Sequence, residues 1–158
     1  MTDPSATVWR TGDAAFRRSE VSSAIGTGED VWVRASADLL RWRVKTRSGF
    51  AVKGPTPVSV GDRPLIHARV LGVTVIEPVE VVEVVEEHNR VAFAYRTLPG
   101  HPVHGEEAFI VHRDDDDVVR ITVRSLTAPS DVAGWRAVHP LLRLAQGVAR
   151  RRYLRALS

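Results

Sequence analysis

Arg90-Val91-Ala92-Phe93-Ala94-Tyr95-Arg96-Thr97-Leu98-Pro99-Gly100-His101-Pro102-Val103-His104-Gly105-Glu106-Glu107-Ala108-Phe109-Ile110-Val111-His112-Arg113 is the stretch that decides the fold. Its two ends, Arg90 to Thr97 and Gly105 to Arg113, are rich in β-branched and aromatic residues and read as strands. Between them, Pro99-Gly100 is a turn signal, because proline presets φ and glycine accepts a positive φ. Two histidines and two glutamates then follow over residues 101–107. The reading is a β-hairpin whose connection carries titratable side chains.

Working outward, Leu65 to Val75, Val79 to Glu87 and Val118 to Leu126 have the same short, valine- and isoleucine-rich character. Turn chemistry separates the runs at Glu77-Pro78, His88-Asn89 and Asp114 to Asp117. Strands at such close spacing with short connections indicate an antiparallel meander. The four aspartates repel one another and suit a solvated hairpin tip rather than a calcium loop, since glycine and partner spacing are missing. Before the meander, Val31, Ala35, Leu39 and Trp42 fall on one helical face. Thr27-Gly28-Glu29-Asp30 supplies an N-cap candidate and first-turn acids, so a helix of about 13 residues packed on the core is predicted there. Residues 48–64 are broken up by Ser48-Gly49 and by Pro55, Pro57 and Pro64. Residues 1–26 show weak periodicity, with Val8, Trp9 and Phe16 able to pin a short element onto the body. Asp131 to Ser158 is again helical, with Val138, Leu141, Leu142, Ala145, Val148, Ala149, Leu154 and Leu157 on one stripe and arginines around it.

The chain of 158 residues is expected to be one domain over 1–158, long enough to bury its own core. It has no cysteine, so disulfides and thiolate metal sites are excluded, and a reducing, cytoplasmic setting is expected. No apolar run approaches the ~20 residues of a membrane span, and the amino-terminal residues lack a signal-peptide core. Only Lys45 and Lys53 are lysines among 22 basic residues. Arginine suits anion recognition, but a chain-wide arginine, alanine and valine excess is equally the mark of GC-rich coding. The arginines of the last segment sit where a helix dipole favours them. No nucleic-acid motif accompanies them, so neither nucleic acid nor membrane insertion is expected.

Helix, meander and long final helix make an α+β pattern. A strongly curved sheet and a single helix laid across it need not touch everywhere, and a cavity can open between them. The block Phe93 to Pro102 followed by Gly105-Glu106-Glu107-Ala108-Phe109 resembles the signature of the domain-of-unknown-function family DUF1990. Pro140 to Gln146 with Arg152 to Leu157 is similar to the C-terminal helix of that family, and the resemblance extends over about residues 30–157. It implies a relationship to the START and birch-pollen-allergen-like (Bet v 1-like) superfamily, hence a helix-grip fold with a ligand cavity. It names no substrate and transfers no catalytic residue.

On a strand beginning at Gly105, Glu106 and Glu107 point to opposite faces. An acid facing an apolar cavity has its pKa pushed upward, toward what proton transfer near neutral pH needs. His101, His104, Glu106 and Glu107 are therefore the candidate catalytic residues, and the plain alternative is a polar turn tied by hydrogen bonds. Two histidines and a carboxylate could hold zinc or iron. Their spacing is loose and Pro102 stiffens the backbone, so neither metal nor cofactor is assigned. Trp42, Phe93, Tyr95, Thr97, Phe109 and Trp135 are candidate ligand-lining residues, with core filling as the commoner role for such rings. Arg124 is added as a possible anion holder. Its alternation with Val119, Ile121 and Val123, shared with Arg120, instead favours the convex face. The leading expectation is a binder of an amphipathic or lipid-like molecule between sheet and final helix. The alternative is a cofactor-independent enzyme on the same scaffold, a cyclase, dehydratase or hydrolase working by acid–base chemistry.

Overall fold

The computed structural model describes residues 1–10, 14–70, 72–129, 134 and 139–158, the side chains of 139–143 excepted. Seven strands form one antiparallel sheet: β1 (Arg17–Thr27), β2 (Ala51–Lys53), β3 (Leu65–Val70), β4 (Val73–Glu87), β5 (Arg90–Thr97), β6 (Val103–Arg113) and β7 (Val118–Pro129). Their order is β1-β7-β6-β5-β4-β3-β2, so the meander runs unbroken from β2 to β7 and β1 returns to the far edge. Among the described residues the helices accompanying it are α1 (Glu29–Leu39), α2 (Arg43–Thr46) and α3 (His139–Tyr153). This is the curved sheet with a C-terminal helix of a helix-grip fold.

Period-two alternation sorts the sheet residues. Val91, Phe93 and Tyr95 on β5, Phe109 and Val111 on β6, and Val119, Ile121 and Val123 on β7 face the concave side. They pack with Trp32, Ala35 and Leu39 of α1 and with Tyr153 and Leu157 at the carboxyl end. On the other face, Ala92 and Ile110 join Val85 in a smaller cluster. Burying a large apolar side chain contributes roughly 1.5–3 kcal/mol, so the concave cluster dominates stability.

Four expectations are corrected. First, β1 is a full edge strand pairing with β7 from Arg17↔Thr127 to Thr27↔Val118. Its sequence, RRSEVSSAIGT, is too polar to announce a strand, because it buries little. Second, α1 starts inside the expected Thr27–Asp30 stretch, with Gly28 at φ 91° as its N-cap and no side-chain cap, but it is shorter than expected. It stops at Leu39, and Trp42 at φ 60° turns the chain into the four-residue α2. Third, Glu77-Pro78 is not a turn. β4 runs through it, pairing with β3 up to Leu65↔Pro78 and with β5 from Val79↔Thr97. Proline is tolerated where the strand changes partner, since it has no N–H to offer a ladder, and the turn lies at Gly72, φ 82°. Fourth, Val148, placed on the buried stripe of the last helix, is 43% exposed.

The convex face is also not simply wet. The amino-terminal segment lies over it in neither helix nor strand, with Thr2, Pro4 and Trp9 buried. Glu106 accepts the Thr2 N–H (2.5 Å) and the Thr2 hydroxyl. Arg90 donates to the Pro4 and Ala6 carbonyls at 2.7 and 2.9 Å, and Arg124 donates to those of Thr2, Asp3 and Thr7.

Candidate functional site: a cavity with a buried lysine at its floor

The β5–β6 connection is built as its sequence indicates. His101 N–H donates to the Leu98 carbonyl (3.1 Å), with Gly100 at φ 95° in the position that needs it. Gly105 has a different reason to be glycine. A Cβ there would stand 1.8 Å from the Leu126 carbonyl oxygen, so β6 and β7 could not approach. Its N–H donates to the Thr97 hydroxyl at 3.0 Å.

Between the concave face and α3 lies a cavity of about 370 Å3. Phe50, Val70, Val75, Val103, Ala145 and Ala149 supply apolar wall. One group of polar side chains gathers around Lys45. α2 delivers Lys45, only 2% exposed, whose Nζ donates to Glu107 Oε2 (2.9 Å) and to the Tyr153 hydroxyl (2.7 Å). Tyr95 donates to the same Glu107 oxygen. The rings of Tyr153, Phe50, Tyr95 and Phe109 surround the ammonium with centroids 4.7 to 5.2 Å away. Aromatic faces stabilise a cation that burial would otherwise penalise.

The protonation states follow. Burial pushes the Glu107 carboxyl up, but the Lys45 charge and the Tyr95 and Lys45 hydrogen bonds outweigh it and hold the group below its ordinary range. Glu107 is thus ionised and Lys45 is its counterion. Burial, reinforced by the Glu107 charge, pushes both Tyr95 and Tyr153 well above 10, so both keep their protons. Tyr153 accepts from Lys45 and has no other hydrogen bond among the described residues, which leaves its proton free to donate into the cavity.

Glu77 enters the same space from an inward position of β4, between the buried Val75 and Val79. Its carboxyl has no hydrogen-bond or ion-pair partner among the described residues. Burial lifts it from 4.5 to about 7, the Lys45 charge opposing and the Glu107 charge assisting. His101, also lining the cavity, accepts the Val103 N–H on Nδ1 (3.0 Å), which assigns the ring proton to Nε2. Burial and then the Lys45 charge push His101 down to about 4, so the ring is neutral.

The structure thus brings His101, His104, Glu106, Glu107, Tyr95 and Thr97 to the cavity lining, although the Glu106 carboxylate turns away to Thr2. Trp42, Phe93 and Phe109 lie behind it in the core, Trp42 against Phe93 at 4.7 Å between ring centroids. Glu106 and Arg124 are on the convex face with the amino-terminal segment; Arg124 also pairs with Glu20 at 3.0 Å. His104 is exposed and its ring lies 5.5 Å from that of Phe16. Trp135 lies outside the described residues. His101 Nδ1 is taken by the Val103 N–H and the Glu106 carboxylate by Thr2, so these residues and His104 present no common ligand set. No group of three or more His, Asp or Glu among the described residues is placed to hold a metal ion.

Lys45, Glu77 and Tyr153 were missed by sequence reasoning. One signal was present for Glu77: a single acid at the inward register of a strand, Val75-x-Glu77-x-Val79. Lys45, one of two lysines in a chain that otherwise uses arginine, was the other.

The family profile described as "Domain of unknown function (DUF1990)" matches residues 3–156. This chain belongs to the DUF1990 family. A "UPF0548 protein" of Deinococcus radiodurans is 31% identical over 144 residues, covering 84% of this chain and 72% of that protein. Among solved structures, the hypothetical protein jhp0584 of Helicobacter pylori superposes with TM-score 0.67 at 17% identity, covering 99% of this chain and 96% of that one. The Zhui aromatase/cyclase of Streptomyces sp. R1128 gives TM-score 0.62 at 14% identity, covering 88% and 92%. At these identities the structural likenesses establish a shared fold for this DUF1990 chain and nothing finer. No helix among the described residues is long and apolar enough to cross a membrane.

Proposed function

We propose that this DUF1990 protein binds a small amphipathic organic molecule between its curved sheet and α3. The observation that carries the reading is the division of the cavity lining: apolar wall over most of its extent, with Lys45, Glu77, Glu107 and Tyr153 gathered at one place. Ligand pockets of this size orient an apolar body by a few placed polar groups. Arg69, Arg150 and Arg152 also border the cavity, without a carboxylate partner among the described residues. Arg150 instead donates to Ser125 Oγ (3.1 Å) and Arg152 to the Ser48 carbonyl (3.4 Å). A guest with an anionic end would find its counterions there.

The test is native mass spectrometry of gently purified protein, with thermal shifts against medium-chain fatty acids and fused-ring aromatic ketones such as 2-tetralone. Ala149→Phe, which projects a ring from α3 into the space, should abolish binding while the far-ultraviolet circular dichroism stays unchanged. Unaltered affinity in a folded Ala149→Phe protein would remove the cavity from consideration.

A further inference from the structure

We infer that Glu77 acts as general base, with Tyr153 as hydrogen-bond donor, in proton transfer at a carbon next to a carbonyl. Glu77 is a cavity-facing carboxyl that no described residue engages, and Tyr153 shares that cavity with its proton uncommitted. This rests on the cavity being a binding site and names the class of compound it receives, an enolisable ketone or its equivalent.

The polar groups of the site divide by what already occupies them. Glu107 Oε2 receives both Lys45 and Tyr95, so that oxygen is fully engaged as a counterion. His101 uses Nδ1 on its own turn and stays neutral. Among the described residues Glu77 has no hydrogen-bond donor and no ion-pair partner, the Lys45 charge acting on it only from a distance, so its carboxylate can take a proton without breaking a described contact. A carboxyl lifted to about 7 also exchanges protons near neutral pH, where general bases are most effective. Glu77 and Glu107 are thus two acids pushed apart by their surroundings, one poised to titrate and one fixed as an anion.

On the electrophilic side, Lys45 donates to the Tyr153 oxygen, which polarises the phenol and strengthens it as a donor. Glu77 and Tyr153 are near enough that the Glu77 charge contributes to holding the Tyr153 proton on. Both side chains line the same cavity, so a carbonyl oxygen placed on Tyr153 lies in the space that Glu77 also faces.

The step balances without any co-reactant. Glu77 takes a proton from the carbon beside the carbonyl, and the C–H electron pair becomes the C=C bond of an enolate. The former C=O π pair moves onto oxygen, where the Tyr153 hydrogen bond stabilises it. Return of the proton from Glu77 to the same carbon gives hydrogen exchange; return to a conjugated carbon gives a double-bond isomer. No electron is gained or lost.

The test uses 2-tetralone in D2O, following loss of its C1 proton signal by NMR, with binding measured in parallel by thermal shift. The expected result is exchange at least tenfold above buffer, rising with pH through a midpoint near 7. Glu77→Gln should abolish that excess, and Tyr153→Phe should lower it about tenfold or more. Binding of 2-tetralone with exchange no faster than buffer would overturn the proton-transfer role and leave the binding reading intact. Fatty-acid binding without 2-tetralone binding would overturn the substrate class alone, and binding of neither would end both readings. Undiminished exchange by Glu77→Gln, or a flat wild-type pH profile should that variant fail to fold, would also refute the inference.

Discussion

Glu77 is a position where chemistry and stability pull apart. Its folded-state pKa is about 7 against 4.5 for an unburied glutamate, so the folded protein holds this proton more tightly. The stability linked to it is fully present below pH 4.5 and is lost as the pH rises through about 7. Glu77→Gln, a permanently neutral isostere, should therefore raise stability at pH 8 by on the order of 1–3 kcal/mol and change little at pH 4. Urea denaturation at the two pH values measures this, and equal effects at both would contradict the assignment. His101 works in the opposite sense. Its pKa falls from 6.5 to about 4, so its contribution is present above 6.5 and lost as the pH drops through 4. Lys45 is different again, because removing it strands an ionised Glu107. Lys45→Met should cost about 3–5 kcal/mol, and adding Glu107→Gln should recover part of that loss, a coupling a double-mutant cycle will read.

At the scale of elements, the β5–β6 hairpin and the amino-terminal segment carry the most weight. The hairpin was legible because each of its local preferences agrees with the final geometry: β-branched and aromatic runs, Pro-Gly at the turn, alternating faces for Glu106 and Glu107. Gly105 was legible only as part of a motif, since its reason is the Leu126 carbonyl twenty-one residues on. Gly105→Ala should accordingly leave little folded protein, judged by circular dichroism, whereas Gly61→Ala, with nothing within 4 Å, should show only the modest strain of its backbone angle. β1 was illegible because an edge strand with one solvated face needs few apolar residues. The amino-terminal segment was illegible for a related reason: it is held by Arg90, Arg124 and Glu106 gripping backbone atoms, which leaves almost no side-chain pattern. Trp9 is the exception, 3% exposed beneath the Arg18 guanidinium. Trp9→Ala should cost about 3 kcal/mol. Guest binding in the folded variant should persist, because the sheet separates Trp9 from the cavity; calorimetry and thermal shift check the two halves.

For the whole molecule, the α+β order and the hollow between sheet and helix could be anticipated from an amphipathic final helix following a meander. The placement of polar groups within the hollow could not. Glu77 is set by a strand that exchanges one neighbour for another at Pro78, and Lys45 by a backbone reversal at Trp42; neither leaves a periodic trace. That exchange at Pro78 has a further consequence. Beyond it, residues 73–77 of β4 pair with β3 and extend past the end of β5, and Val70 and Val75 form part of the cavity wall. The girth of molecule admitted is therefore adjustable by lengthening or trimming that overhang, while the Trp42–Phe93–Phe109 packing behind it stays as it is. Relatives sharing this scaffold can diverge in what they accept by editing a handful of residues remote from the interior that keeps them folded.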